Sequence, residues 1–359
     1  MKRLNKTEFY ERMAPQDLEG LRKVLWNLYW RGGKAVHARI EEELEAPDPT
    51  RTRQKKAETL PDGEWLLHDV KDFVGLARSG AYMGGSREVG RKERSLWRVT
   101  FKRHIKDAEA LLRAGGLEAA RPVLEALLDL IMEMGTFDYF HSEDPVEAMK
   151  VVVSDVVEGL WRADLRQAGL AGWAGRSAQE LIRWETRHGW TRFGWSATAE
   201  KERPLADVVA AILPGGDAWM EFIDAYLVAL AEAHAQDGSM ETRRLHGWMG
   251  GDAAKLAREN RTERLALFNG MALERLLGSG EMETARRLVK HRALSGPEVR
   301  FLQALLARAE GDLDKARILV IQCLVDLPGV DEFIDFAVEI DATLPPLARE
   351  RLKRRRRDG

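Results

Sequence analysis

Six cations recur at helical spacing between residues 87 and 106: Arg87, Arg91, Arg94, Arg98, Lys102 and Lys106. At about 100° per residue they fall within roughly 120° of one face of a continuous helix. Such a row could track the phosphates of a nucleic acid or meet an acidic partner surface. It could equally be a solvated face paired with carboxylates of a neighbouring helix. A second basic cluster closes the sequence, with Arg349, Arg351, Lys353, Arg354, Arg355, Arg356 and Arg357. It reads either as a loose nucleic-acid contact or as a disordered, solubilising end. The third candidate is aromatic: Trp161, Trp173, Trp184, Trp190 and Trp195 are interleaved with Arg183, Arg187 and Arg192. Trp184, Trp190 and Trp195 could form a stacking platform for bases or a protein hot spot; core packing is the alternative.

Catalytic patterns are missing from the sequence. The histidines show neither His-x-x-x-His nor His-Glu-x-x-His spacing, and His141, Asp144 and Asp155 do not share a spacing that builds a site. His234 and His246 flank a Gly-rich stretch and could approach each other. No Gly-x-Ser-x-Gly elbow occurs. Gly247-Trp248-Met249-Gly250-Gly251-Asp252 follows no strand, so it predicts no phosphate cradle. Cys323, the single cysteine, excludes an intrachain disulfide and any zinc site built on several cysteines. It sits in an apolar helical row, where a free cysteine behaves as a small apolar residue. These readings predict no catalytic residue, no metal and no cofactor.

Helices must position these candidates. Residues 1–46 read as a helical hairpin: Pro15-Gln16-Asp17 opens a helix with Leu18, Leu21, Val24, Leu25, Leu28 and Tyr29 on one side, and Gly32-Gly33 ends it. A second helix is expected over 34–44, then a polar linker over 47–64. Residues 65–136 carry a helix over 65–79, the basic helix to Arg113 and a first repeat-like hairpin. Trp97, Phe101, Ala108 and Leu111 supply the apolar stripe of the basic helix. Residues 137–260 form a Trp-rich helical middle. There, Asp144-Pro145 starts a helix predicted to run to 167, further helices lie at 204–213 and 216–235, and a loop follows at 236–252. No strand is expected: Val151, Val152 and Val153 fall inside a period-3.6 pattern.

A heptapeptide, Gly-x-Leu/Met-Glu/Asp-x-Ala-Arg, begins at Gly115, Gly280 and Gly311. The last two copies lie 31 residues apart, with Pro297 and Pro328 at the same offset. The glycine permits a tight turn, the acid suits the positive start of the next helix, and the small alanine allows close helix approach. Periods of this size mark stacked helical hairpins. The segment 261–345 resembles the tetratricopeptide-repeat family through Ala304, Ala307, Gly311, Ala316, Val320, Cys323 and Pro328. The preceding copy supplies Leu276, Gly280, Ala285, Val289 and Pro297. The period is 31 rather than the family's 34, and the Trp and Tyr positions of the first helix are unfilled. The resemblance implies helical-hairpin packing and a surface that binds other proteins. The run Leu25-Trp26-Asn27-Leu28-Tyr29-Trp30-Arg31-Gly32-Gly33 and the loop Tyr139-Phe140-His141-Ser142-Glu143-Asp144 are similar to uncharacterised bacterial helical proteins, some associated with SWIM-type zinc fingers. The Cys-x-Cys…Cys-x-His motif is absent here.

Composition agrees with this architecture. A 45% hydrophobic share supplies a core and 32% charged residues supply outer faces. A net charge of −2 predicts no bulk attraction to nucleic acid or membrane. No apolar stretch reaches the ~20 residues of a membrane span, and no apolar signal region follows the N-terminus. The expectation is an all-α, cytoplasmic, soluble protein. It is an array of antiparallel, tetratricopeptide-like hairpins with an N-terminal hairpin and a basic tail at 346–359. It would act as a non-catalytic adaptor or accessory subunit of a larger bacterial complex. The alternative is a nucleic-acid-binding accessory protein using residues 87–106 and the tail.

Overall fold

The heptapeptide glycines share one backbone geometry in the computed structural model. Gly115, Gly280 and Gly311 have φ of 84°, 78° and 83°. In each copy the next amide bonds back across the turn at 2.9 Å: Gly116 to Leu111, Glu281 to Leu276 and Asp312 to Ala307. This six-to-one bond is a Schellman closure, which satisfies carbonyls that the helix end would leave unpaired. The motif alanines, Ala120, Ala285 and Ala316, are fully buried. Two further helices close in the same way. Ala81 bonds to Leu76 at 3.0 Å over Gly80, and Ala342 bonds to Ala337 at 2.8 Å over Asp341. Asp341 holds φ 54° without being glycine.

The structure describes residues 6–32, 37, 40–41, 60–84, 88–213, 215–243 and 250–358. Every regular element among them is helical, and no strand occurs among them. The chain divides into two compact units, Met1–Thr59 and Leu60–Gly359. The first contains α1 (Lys6–Met13) and α2 (Leu18–Arg31). Asp17 caps α2, accepting from the Gly20 amide at 2.7 Å. Residues 37, 40 and 41 are helical, and Tyr29 donates to Glu41 at 2.6 Å. Most of the helix expected over 34–44, and most of the linker, lie outside the described residues.

The second unit contains α3 (Gly63–Arg78), α4 (Arg91–Arg113), α5 (Leu117–Met134), α6 (Pro145–Met149), α7 (Val153–Trp184, two helical segments that meet in a kink at Gly169, φ 70°), α8 (Leu205–Ile212) and α9 (Gly216–Arg243). It continues with α10 (Gly250–Arg264), α11 (Ala266–Gly278), α12 (Met282–Val289), α13 (Pro297–Ala309), α14 (Leu313–Asp326), α15 (Asp331–Glu339) and α16 (Pro346–Asp358). One hydrophobic core runs from Leu66 to Leu306, with α4 against α5 and α7 against α9. A smaller core joins Phe301, Ala304 and Ala307 of α13 to α14, α15 and Ala348 of α16. Cys323 is buried in it, and burial pushes its thiol up to about 12.

Three expectations need correction. The helix predicted over 145–167 is broken: α6 ends at Met149, Lys150 takes a left-handed φ of 52°, and α7 starts afresh at Val153. The break is stabilised from far away, because Glu202 accepts from the amides of Val153 (2.7 Å) and Ser154 (2.9 Å). Helix α9 also continues to Arg243, into the region read as a loop over 236–252. The basic tail is the helix α16. Its Pro346 occupies the first helical position, where a missing amide costs nothing. Its Arg351 and Arg355 pair with Asp331 and Asp335 of α15.

The shared turn gives a paired prediction. Nothing lies within 4 Å of a side chain added at Gly311, so Gly311→Ala carries only the backbone cost of the left-handed region, about 1 kcal/mol. Asp341→Gly relieves that cost and should stabilise by up to about 1 kcal/mol. Chemical denaturation of both variants measures the difference, and equal effects of one sign would refute a common turn.

Candidate functional site

Helix α4 is oriented by its aromatic face. Trp97, Phe101, His104, Ile105, Ala108, Leu111 and Leu112 are buried. Trp97 stacks on Phe140 with ring centres 4.1 Å apart, and Phe73 packs edge-on to Phe101 and His104. Burial pushes the His104 imidazole down to about 4. It is therefore neutral near pH 7, and its 3.8 Å approach to Asp69 is not an ion pair there. The helix start is fixed by Glu93, whose carboxylate accepts from the Gly90 amide at 3.0 Å.

The opposite face carries the expected cations. Arg91, Arg98 and Lys106 are exposed, and Arg94 and Lys102 are half-buried. Arg87 lies outside the described residues. Among the described residues none of these five pairs with a carboxylate, whereas Arg103 on the same helix bonds Asp69 at 3.0 Å. Arg91, Arg94 and Arg98 line a cleft of ≈ 500 Å³ together with Ser95, Trp97, His141 and Ser142. The loop supplying His141 is anchored by Phe140, which is 1% exposed.

A second concavity, of ≈ 850 Å³, lies between α9 and α12. Leu227, Val228, Ala231 and His234 face Glu283, Arg286, Arg287, Lys290, His291 and Arg292 across it. Val228 is 59% exposed, an apolar side chain without cover. Arg286 bonds Glu310 at 2.7 Å and Arg287 approaches Asp224 at 3.5 Å. Lys290 and Arg292 have no ion pair among the described residues. Burial, then the neighbouring His234, lowers the His291 pKa. His246, the other partner considered for His234, lies outside the described residues. The sequence had not marked this groove, because its walls come from segments some sixty residues apart.

The aromatic candidates separate. Trp184 is fully buried and Trp190 is 7% exposed. Their indole N–H groups are used internally, by Asp129 (3.0 Å) and by the Trp184 carbonyl (3.1 Å). Neither offers a ring face to a partner, which corrects the expected platform. Trp195 is 77% exposed beside the half-exposed Phe193. The interleaved arginines are neutralised: Arg183 by Asp129, Arg187 by Glu263 and Arg192 by Asp138. In α16, Arg355 is held by Asp335, while Arg354, Arg356 and Arg357 are exposed without ion pairs among the described residues.

A buried charge cluster had escaped the sequence reading. Arg121, the last residue of the first heptapeptide, bonds Glu180, and its Nη2 lies 2.6 Å from Asp164 but off a hydrogen-bond line. Arg176 bonds Asp164 at 2.5 Å, and the Trp161 indole donates to Glu180 at 2.6 Å. Burial raises Glu180 to about 7. The later copies place their arginines comparably: Arg286 reaches Glu310 past the end of α13, and Arg317 bonds the Ile340 carbonyl past the end of α15 at 2.8 Å. The repeated arginine at a fixed offset was the available signal. Its partners are satisfied, so the cluster ties helices together.

No family model matches the chain, and neither a curated protein nor a solved structure matches it. Among the described residues no helix is long and apolar enough to cross a membrane, and no group of acidic, His or Cys side chains is placed to hold a metal ion.

Glu185 supplies a pH test of the scaffold. It is 2% exposed, accepts from the Thr186 and Ala206 amides at 3.0 Å, and burial raises it to about 7. A raised carboxyl contributes stability that is fully present below about pH 4.5 and is lost as pH rises through about 7. The full swing is on the order of 3 kcal/mol. Thermal melts from pH 4.5 to 8 should show wild type losing stability relative to Glu185→Gln as pH rises. A constant difference would refute the assignment.

Proposed function

We propose that this chain is a non-enzymatic binding scaffold, an adaptor that holds an acidic, apolar-anchored segment of a partner protein between α9 and α12. The observation that supports it is the groove itself. An uncovered apolar strip formed by Val228 and Ala231 faces Lys290 and Arg292, cations with no ion pair among the described residues. Apolar anchors with a charged rim suit a protein segment, because the anchor gives affinity and the rim selects charge. The three Schellman turns of the heptapeptide also favour a tetratricopeptide-like array, an architecture that presents extended binding surfaces. The test is affinity capture from a lysate of the source organism with nuclease present, comparing wild type with a Lys290→Glu/Arg292→Glu variant. A stoichiometric protein that binds wild type and is lost from the variant, at least tenfold, supports the reading. A partner held equally by both, or released by nuclease, overturns it.

The row on α4, which makes no ion pair among the described residues, favours a second reading, a nucleic-acid-binding accessory protein. Arg91, Arg94, Arg98, Lys102 and Lys106 would contact consecutive phosphates, with Arg354, Arg356 and Arg357 of α16 as a further basic patch. Each phosphate contact adds roughly 0.7 to 0.9 to the slope of log affinity against log salt. Titration of a fluorescent oligonucleotide should then show a steep slope that Arg91→Glu/Arg94→Glu/Arg98→Glu flattens by about 2 or more. An unchanged slope in that variant removes this reading.

A further inference from the structure

The cleft at the start of α4 differs from the rest of the basic row. Many arginines elsewhere are matched by acids: Arg78 bonds Glu133 at 2.6 Å, Arg300 bonds Asp326 at 2.5 Å and Arg308 bonds Glu339 at 2.6 Å. Here three arginines, Arg91, Arg94 and Arg98, converge on one space with no carboxylate among the lining residues. Of the other polar groups there, Ser142 and His141 can donate hydrogen bonds, while the Ser95 hydroxyl already donates to the Lys92 carbonyl at 2.7 Å. A side chain added at Gly84 would come 3.2 Å from Arg94 Nη1 and 4.0 Å from His141 Nε2. Gly84 has φ 107°, a region suited to glycine, so its backbone lies close against the guanidinium and the imidazole without a side chain between them. The wall behind them is rigid, because Trp97 and Phe140 are both buried and stacked.

We infer that this cleft is a binding site for the phosphate group of a small phosphomonoester. Guanidinium forks bind phosphate oxygens in bidentate fashion, and three of them exceed what one carboxylate can neutralise. A phosphomonoester carries about −1.5 to −2 charge at pH 7 with three acceptor oxygens, which matches three forks and the Ser142 hydroxyl. The volume of ≈ 500 Å³ exceeds that of a bare phosphate and falls within the range of small-molecule sites. The organic part of the ligand would lie toward the open side, since Trp97 is too buried to stack on it. This site is independent of the α9–α12 groove. It shares Arg91, Arg94 and Arg98 with the nucleic-acid reading but does not use Lys102 or Lys106, which lie farther along α4 and do not line the cleft.

The test uses the full chain with three probes: inorganic phosphate, adenosine 5′-monophosphate and a single-stranded oligonucleotide. Binding is read by calorimetry and by ligand-dependent thermal shift. The expected result is saturable binding of adenosine monophosphate, competed by inorganic phosphate. Arg94→Gln should weaken it at least tenfold with unchanged far-ultraviolet circular dichroism, and Lys106→Gln should leave it within twofold. Binding of free phosphate as tight as that of the monoester would assign the cleft to the inorganic ion and overturn the phosphomonoester inference. So would the absence of saturable binding up to about 10 mM, well above the Kd of a weak site. Equal losses in Arg94→Gln and Lys106→Gln would mean diffuse charge rather than a site, and would also overturn it. Oligonucleotide binding lost in Lys106→Gln while the monophosphate still binds would keep the cleft and show it to be separate from a phosphodiester track.

Discussion

The arrangement of the second unit depends on helix starts that are capped by carboxylates distant in sequence. Helices α7 and α8 begin after Val152 and Pro204, residues with no side-chain acceptor for the first amides. Glu202 takes this role for α7 and Glu185 for α8. Nearby, Asp144 caps α6 and also accepts from the Arg192 amide, while Glu147 accepts from the Thr198 amide. Four carboxylates thus convert the irregular stretch 185–204 into a defined path over the core. A cap is worth about 1 kcal/mol, and an amide left buried without one costs about 1 to 3 kcal/mol. The energetic cost of the arrangement is visible in the raised pKa of Glu185 and Glu202, both desolvated by burial.

The same stretch explains which parts of the fold were legible in the sequence. Local signals carried far. The heptapeptide glycines marked their turns, Trp97, Phe101, Ala108 and Leu111 marked the buried stripe of α4, and Asp144-Pro145 marked the start of α6. What the sequence hid was non-local. The break at Lys150 depends on Glu202, about fifty residues away, and no pattern within 145–167 announces it. The helix α16 was obscured for a related reason: the turn that closes α15 before it uses Asp341 where such turns usually carry glycine, and its arginines read as a charge run until Asp331 and Asp335 are brought beside them. Burial of Trp184 and Trp190 was equally invisible, because an indole at a core position and one on a surface look alike in sequence.

For the candidate sites, five of the six cations of the row fall on α4, Arg87 lying outside the described residues, but spacing could not tell paired from unpaired charge. That distinction separates Arg183, Arg187 and Arg192, each matched by an acid, from Arg91, Arg94 and Arg98, which have no acid partner among the described residues. In a chain of net charge −2, unmatched cations clustered on one face create a local field that the overall charge conceals. His141 joined this cluster only through the anchoring of its loop by Phe140. The groove between α9 and α12 had no sequence signature at all.

Helix α13 serves two cores at once. Phe301, Ala304 and Ala307 face the smaller one, while Val299, Leu302 and Leu306 face the larger. Everything after α13 is therefore joined to the main body chiefly through the flank of a single helix. Segments connected in this manner commonly open as one cooperative foldon. Amide protons of α14, α15 and α16 would then exchange with solvent as a group, while those of α4, α5 and α7 remain protected until the whole unit unfolds. The C-terminal arginines would lose their ordered partners in that partially opened state and regain free charge there.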